Sequence, residues 1–195
     1  MPTTGTSSIS AASRWAADPN EYIEKGMALR DDYRGDALVA THFALEPSHA
    51  LDDPTLARVR RLADELEIPV ALPVHESTWE IAESQARHGA RPLDRLLRLG
   101  FASPLLISVH GTCLSPADID ALAACGAAVV HCPESNLKLG SGVCPAADLV
   151  GRGVRVALGT DGAASNNDLD VFSEMRTAGL LAAGVSARPG ALVAR

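Results

Sequence analysis

The sequence alternates short, continuous apolar segments with amphipathic ones, and this alternation strongly limits the folds that are open to it. Apolar strands that do not alternate with polar residues are typical of a parallel sheet whose two faces are both covered by helices. The pattern therefore predicts an α/β protein built from five strand–helix repeats. The predicted strands are residues 36–45, 68–76, 104–110, 126–132 and 154–160.

The segments between these strands have helical spacing, and several begin with a capping residue followed by proline, as at Asp53-Pro54 and Ser115-Pro116. Two architectures fit such repeats: a doubly wound sheet and part of a (β/α)8 barrel. No glycine-rich phosphate-binding motif follows the first strand, which argues against Rossmann-type or P-loop nucleotide binding. The predicted helices are residues 20–34, a segment from 53 onward, 79–99 with a break near Gly89 and Pro92, a segment from 115 onward, 145–151 and 168–183.

Composition narrows the classes of partner. The chain has 195 residues, of which 47% are apolar and 21% charged, and this balance excludes general disorder. The net charge of −7 comes without a basic stripe, so we expect no nucleic-acid partner. No apolar stretch approaches the ~20 residues needed to cross a bilayer, so we expect no membrane partner.

The first residues and the cysteines indicate the compartment. Residues 1–14 read as a flexible polar head without the apolar core of a secretion signal, so we expect a cytoplasmic protein. The four cysteines form no C-x-x-C pair. Reduced thiols are the expectation, and a structural zinc site is the alternative.

Polar residues lie at the carboxyl ends of the predicted strands, which meet at one face of a parallel barrel. Imidazoles and a carboxylate can bind a divalent cation that lowers the pKa of a bound water, while a second carboxylate moves protons. The arrangement therefore predicts metal-assisted hydrolysis. These residues are His42, His75, Glu76, His110, His131 and Asp161.

Four longer motifs surround these residues. They are V-H-E-S-T (74–78), S-V-H-G-T (108–112), H-C-P-E-S-N-L-K-L-G-S-G (131–142) and A-L-G-T-D-G-A-A-S-N-N-D-L-D (157–170). These motifs resemble the amidohydrolase superfamily, and within it the methylthioadenosine/S-adenosylhomocysteine deaminases and the chlorohydrolase-like triazine hydrolases. The resemblance runs from Trp15 to Leu181. It implies a partial (β/α)8 TIM-type barrel over residues 15–195, with five βα units that correspond to strands 4 to 8. It also implies a zinc or iron ion and hydrolysis of C–N bonds in small adenosine-type or related heterocyclic substrates.

The resemblance also implies roles for individual residues. Asp161 matches a metal-binding aspartate that takes a proton from the attacking water. His110 matches a histidine that polarises this water or the tetrahedral intermediate. Glu76 matches the glutamate that protonates the ring nitrogen of the substrate. Ser135 and Asn136 match a Ser-Asn pair near the substrate.

Two departures from the family pattern affect the metal. The chain has no H-x-H motif, which the family carries on the first barrel strand, and its first predicted strand corresponds to the fourth. Pro73 stands where the family has a metal-binding histidine, three residues before Glu76. His75 is a candidate substitute, because residues two apart in a strand point to the same side, although it would lie roughly 6–7 Å further along.

These departures leave three interpretations open. The chain is a metal-dependent aminohydrolase, or an inactive truncated remnant or subunit that needs a companion chain, or a metal-independent module that binds purine analogues. The second predicts self-association or a companion chain, because five βα units leave both edge strands unpaired.

Overall fold

A computed structural model describes residues 16–192, in two compact units that divide between Thr41 and His42. In the first unit, helix α1 (Pro19–Asp32) begins at an Asp18 cap whose carboxylate accepts hydrogen bonds from the Asn20 and Glu21 amides. The predicted flexible head, residues 1–14, lies outside the described residues.

The second unit is built on a parallel sheet of five strands whose spatial order, β1-β2-β3-β4-β5, is also their order in the chain. A doubly wound sheet reverses direction at a switch point, whereas each strand of a barrel lies beside its predecessor. The sheet therefore corresponds to a segment of a barrel, as predicted. The strands are β1 (Phe43–Ala44), β2 (Val70–Val74), β3 (Leu106–His110), β4 (Ala128–His131) and β5 (Arg155–Leu158).

The helices between the strands begin and end where the local chemistry indicates. Ser115 caps one of them as predicted. Another is capped by Asp52 rather than by the predicted Asp53, which is instead the first residue of the helix. Both helices have proline in the first turn. The predicted break in residues 79–99 is confirmed, because Gly89 ends one helix in the left-handed conformation and Pro92 begins the next. The helices are α2 (Asp53–Leu66), α3 (Thr78–His88), α4 (Pro92–Arg98), α5 (Pro116–Cys125), α6 (Pro133–Leu139), α7 (Ala146–Gly151) and α8 (Val171–Ser186), with a 3-10 turn at Ser48–Ala50.

Two predicted elements differ from the structure. The first strand was expected over 36–45 but comprises only Phe43–Ala44, and Asp36 instead accepts hydrogen bonds from the Leu38 and Val39 amides in a local turn. The predicted helices leave out the segment directly after β4, but it contains α6, which starts at Pro133.

The two faces of the sheet differ in burial. In β2 the residues Val70, Leu72 and Val74 are fully buried, whereas Ala71 and Pro73 are only half-buried. The same alternation continues across β3 and β4, and the register keeps Pro73 beside Val109 on the half-buried face. We expected both faces to be covered, but within residues 42–192 only one is fully buried.

Pro73 is tolerated because of where its missing N–H would point. The Val70 amide donates to Leu105 on the β3 side, so alternate residues of β2, including Pro73, face β1. The Leu45 amide donates to the Ala71 carbonyl, so the next ladder bond would run from residue 73 to the Leu45 carbonyl. Pro73 removes only this bond, at the end of the short ladder with β1.

A helix must be about 20 residues long and predominantly apolar to cross a bilayer. Across residues 16–192, none is both long and apolar enough to span a membrane.

The buried face predicts a matched pair of stability effects. Leu122 on α5 is fully buried, whereas Leu180 on α8 is 63% exposed. We expect Leu122→Ala to lower the free energy of unfolding by about 2–5 kcal/mol, because it leaves a cavity. Leu180→Ala should cost less than about 1 kcal/mol. Urea denaturation of dilute protein measures both, and equal losses would contradict this assignment of the core.

Candidate active site

The predicted site residues lie at one edge of the sheet. Glu76 follows β2, His110 ends β3 and Asp161 follows β5, while α6 carries Ser135 and Asn136 directly after β4. Because the strands are parallel, their carboxyl ends meet at the same edge.

Glu76 is held through its backbone. Its N–H donates to Oε2 of Glu80 at 2.6 Å, and its carbonyl accepts a hydrogen bond from Oγ1 of Thr112 at 2.6 Å. Burial raises the pKa of Glu80, although the bond from the Glu76 amide opposes the shift. These two contacts fix the Glu76 backbone, and its Oε2 atom lies 3.8 Å from Nε2 of His110.

Asn136 orients the His110 ring. Nδ1 of His110 lies 3.0 Å from Oδ1 of Asn136. An amide oxygen only accepts hydrogen bonds, so Nδ1 of His110 donates to Asn136, and Nε2 on the other side of the ring faces Glu76. His110 is 4% exposed, so the ring itself is shielded from solvent.

Asp161 accepts two hydroxyl hydrogen bonds on one oxygen. Its Oδ2 atom lies 2.7 Å from Oγ of Ser135 and 2.9 Å from Oγ of Ser165. Burial alone would raise the pKa of Asp161, but these hydroxyls and the Gly162 amide outweigh it and hold the pKa below the usual range. Asp161 is therefore a carboxylate at neutral pH.

Ser135 and Asn136 are almost completely buried, with exposures of 0% and 1%. Their contacts in the structure are with Asp161 and His110, which they orient. Direct contact of either residue with a substrate stays a prediction.

His75 lies in a separate buried network. Its Nε2 atom accepts a hydrogen bond from the Leu93 amide at 3.2 Å, and its Nδ1 atom lies 3.4 Å from Oδ2 of Asp118, which also pairs with Arg91. Both ring nitrogens are thus used in linking the end of β2 to α4 and α5, an arrangement that does not favour the predicted metal role of His75.

The backbone explains why His75 departs from the expected direction. It has a left-handed φ of 56°, so the alternation of side chains that holds within β2 stops at Val74. Burial would raise the pKa of Asp118, but hydrogen bonds from His75 and Ser115 keep it far below its usual range. The network therefore contains a permanent carboxylate.

Other predicted positions also have structural contacts. His42 precedes β1 rather than ending it. His131 ends β4, is 1% exposed, and has an Nδ1 atom without a hydrogen-bond partner among the described residues. His49, which has no predicted role, lies in the 3-10 turn after β1 and packs edge-on against Trp79 with ring centroids 5.3 Å apart.

The residues present do not form a complete metal centre. Within residues 16–192, no three His, Cys, Asp or Glu side chains are arranged so that they could hold a metal ion. All four cysteines are free, and burial raises the pKa of Cys132 and of Cys144 to about 12, so these two are neutral thiols. Asp161 is the predicted ligand whose carboxylate remains available at the site.

Sequence reasoning missed the residues that support the site. Glu80 and Thr112 hold Glu76, Ser165 holds Asp161, and none of the three was predicted to act there. Thr112 and Ser165 lie inside the quoted motifs, so the motifs contained a signal for them.

Comparisons with known proteins agree with this geometry. Residues 9–193 match the sequence model of the Amidohydrolase family. The chain is 49% identical over 172 residues to a 5-methylthioadenosine/S-adenosylhomocysteine deaminase of Teredinibacter turnerae, covering 88% of this chain and 39% of that protein. It is 45% identical over 179 residues to the protein of the same name from Saccharophagus degradans, covering 92% and 40% respectively.

Solved structures give the same relationship. An adenosine deaminase from Xanthomonas campestris with bound zinc has 50% sequence identity and a TM-score of 0.89, over 92% of this chain and 41% of that one. An atrazine chlorohydrolase from Arthrobacter aurescens complexed with zinc shares the fold, with a TM-score of 0.81 at 21% identity over 89% and 38%. The chain thus spans about two fifths of the length of these relatives.

Buried His131 predicts a loss of stability in mild acid. Burial, with the adjacent charge of His110, lowers the pKa of His131 from 6.5 to about 4. Between these values the unfolded chain binds a proton that the folded chain does not, so this contribution to the free energy of unfolding falls as the pH falls, by at most ~1.4 kcal/mol per pH unit. Urea denaturation at pH 7 and pH 5 should show a smaller loss for His131→Asn than for the parent. An equal loss in both would contradict the assignment.

Proposed function

Because the chain belongs to the amidohydrolase family, we propose that it supplies the proton-transferring part of a hydrolase that cleaves C–N bonds in adenosine-type heterocycles. The observation that carries this proposal is the convergence of Glu76, His110 and Asp161 at the carboxyl edge of the sheet. The names of the relatives, which are deaminases of adenosine-type compounds, support the substrate class.

Glu76 and His110 suit the transfer of a proton to the substrate. Glu76 can donate a proton to a ring nitrogen, and its backbone contacts with Glu80 and Thr112 keep its position fixed. The Nε2 lone pair of His110 can accept a hydrogen bond from an attacking water, because Asn136 holds the Nδ1 proton on the opposite side of the ring.

Asp161 suits the removal of a proton from that water. It is ionised at neutral pH, and Ser135 and Ser165 fix its carboxylate through one oxygen, leaving the other oxygen to act as the base. Glu76 and Asp161 thus have complementary roles as acid and base.

Two of the relatives contain zinc, which when bound supplies a hydroxide at neutral pH. The described residues of this chain do not complete such a site. We therefore assign no step to a metal held by this chain alone.

Two features favour a partner that completes the structure, either a companion chain or a second copy. One face of the sheet is half-buried, and within residues 42–192 the outer edges of β1 and β5 pair with no further strand. The start of α8 adds exposed apolar side chains at Val171, Phe172 and Met175. A cytoplasmic location is part of the same proposal.

Complementation tests the catalytic proposal. The chain would be combined with the N-terminal segment of the Xanthomonas deaminase, and methylthioadenosine deamination followed by absorbance with zinc present. We expect turnover only when that segment is present and Pro73→His has restored a metal-binding side chain. In this active combination Glu76→Gln should reduce kcat by about 100-fold or more.

Each outcome of that experiment has a distinct consequence. Turnover by the unaltered chain alone would overturn the need for further segments. Absence of turnover in the complemented variant would overturn the proposed reaction. Tight binding of methylthioadenosine by the unaltered chain without metal would instead favour the purine-binding module.

Self-association tests the partner proposal. We expect light scattering after size-exclusion chromatography to give a mass above 20.3 kDa that falls on dilution. Phe172→Asp should shift the protein towards monomer, because Phe172 is 80% exposed on the apolar start of α8. Trp79→Asp is the matched control, since Trp79 is 64% exposed on α3. A monodisperse monomer at all concentrations would contradict association between copies.

A further inference from the structure

Helix α8 carries a buried carboxylate that the proposed chemistry does not use. Glu174 has no exposed surface. Its Oε1 atom accepts a hydrogen bond from Nδ2 of Asn166 at 2.6 Å, and its Oε2 atom accepts one from the backbone N–H of Glu134 at 3.1 Å. Each carboxylate oxygen thus contacts a different segment of the site edge, the start of α6 and the loop before α8.

Each of these two contacts is made by a residue that neighbours, in the sequence, a serine whose hydroxyl donates to Asp161. Glu134 immediately precedes Ser135, and Asn166 immediately follows Ser165. The hydroxyls of Ser135 and Ser165 converge on the same Oδ2 atom of Asp161, at 2.7 and 2.9 Å. Two chain segments therefore link Glu174 to Asp161 through hydrogen bonds. We call them the α6 arm (Glu134–Ser135) and the loop arm (Ser165–Asn166).

We propose that Glu174 is a positioning residue that sets the two serine hydroxyls on Asp161 by holding α6 with one oxygen and the Ser165–Asn166 loop with the other. Its importance for catalysis rests on the proposed function, whereas its role in fixing the two arms does not.

The chemistry of the partners requires a carboxylate at this position. An amide N–H and an Asn Nδ2 group are both donors, so both oxygens of Glu174 must accept. In Glu174→Gln one oxygen becomes an NH2 group, which then faces a donor and leaves a buried polar group without a partner.

The loop arm is itself well ordered by Asn166. Its Oδ1 atom accepts hydrogen bonds from the Asp168 and Leu169 amides, and the Ser165 and Asn166 amides donate to the Gly162 carbonyl. The bond from Asn166 to Glu174 therefore anchors a folded loop rather than a single side chain.

A polarity swap tests the proposal with four variants of the full chain. They are Glu174→Gln, Asn166→Asp, the double variant, and the control Glu134→Gln. In the double variant the new Gln can donate to the new Asp while its oxygen still accepts from the Glu134 amide. The control makes the same chemical change on a neighbouring carboxylate, whose side chain accepts a hydrogen bond from Thr177.

The first readout is amide hydrogen exchange at Glu134, Ser165 and Asn166, measured by NMR. We expect Glu174→Gln to speed exchange at these three amides by about tenfold or more, with little change in β2 and β3. The double variant should recover most of the protection, and Glu134→Gln should retain it.

Several outcomes would overturn the proposal. Faster exchange throughout the sheet in Glu174→Gln would show a merely structural role. If the double variant does not recover protection, the donor–acceptor pairing is not what matters. The same conclusion follows if the single variant does not fold and the double variant does not fold either. Recovery of folding by the double variant alone would support it.

The second readout separates this inference from the proposed function. In the complemented, active assembly described above, Glu174→Gln should lower kcat about tenfold or more with KM nearly unchanged, because Asp161 acts on the water rather than on substrate binding. An unchanged kcat would overturn the catalytic role of the positioning. If the parent assembly has no activity, the proposed function fails, and the exchange pattern still decides whether Glu174 fixes the two arms.

Discussion

The parallel arrangement of β2 to β5 is the constraint on which the site depends. It brings the residues that end four successive strands to one edge, although they are spread from position 76 to position 161 in the chain. The site side chains then need only short-range support. Thr112 follows β3 yet supports Glu76 after β2, and Ser135 follows β4 yet supports Asp161 after β5. Each strand end is thus stabilised by its neighbour, and the site is ordered only if the register is correct.

The strand ends share a second property, which is backbone strain. His75, His110 and Asp161 all have left-handed φ values, of 56°, 73° and 62°. Each such residue costs of order 1–3 kcal/mol unless its surroundings stabilise it. The surroundings do so here, because His75 bonds the Leu93 amide, His110 bonds Asn136 and Asp161 accepts two serine hydroxyls. The strained conformation of His75 turns its side chain out of the regular alternation of β2.

The strain explains in part why some features of the structure could be predicted from the sequence and others could not. The parallel sheet, the helix cap at Ser115, and the positions of Glu76, His110 and Asp161 at or after the ends of their strands follow from local patterns. The direction of His75 does not, since the rule that residues two apart share a side holds only within a regular strand. Glu174 was also beyond reach, because its partners lie 40 and 8 residues away and only the packing of α8 against α6 brings them together. Short β1 was missed for a different reason: a local Asp36 turn competes with strand formation.

Pro73 and the half-buried face of the sheet are two aspects of one structural fact. The position where the family has a metal-binding histidine lies on the face of β2 that the described residues leave partly uncovered. On that face a side chain has few neighbours within residues 42–192, so the packing of this unit places little restriction on its identity. The missing N–H also removes only one bond there, at the end of the short ladder with β1. Glu76, His110 and Asp161, in contrast, are held by hydrogen bonds from within the unit, Glu76 through its backbone and the other two through their side chains. The fold therefore holds the residues proposed for acid–base chemistry by itself, whereas its packing does not constrain the position at which the proposed reaction would need a metal ligand.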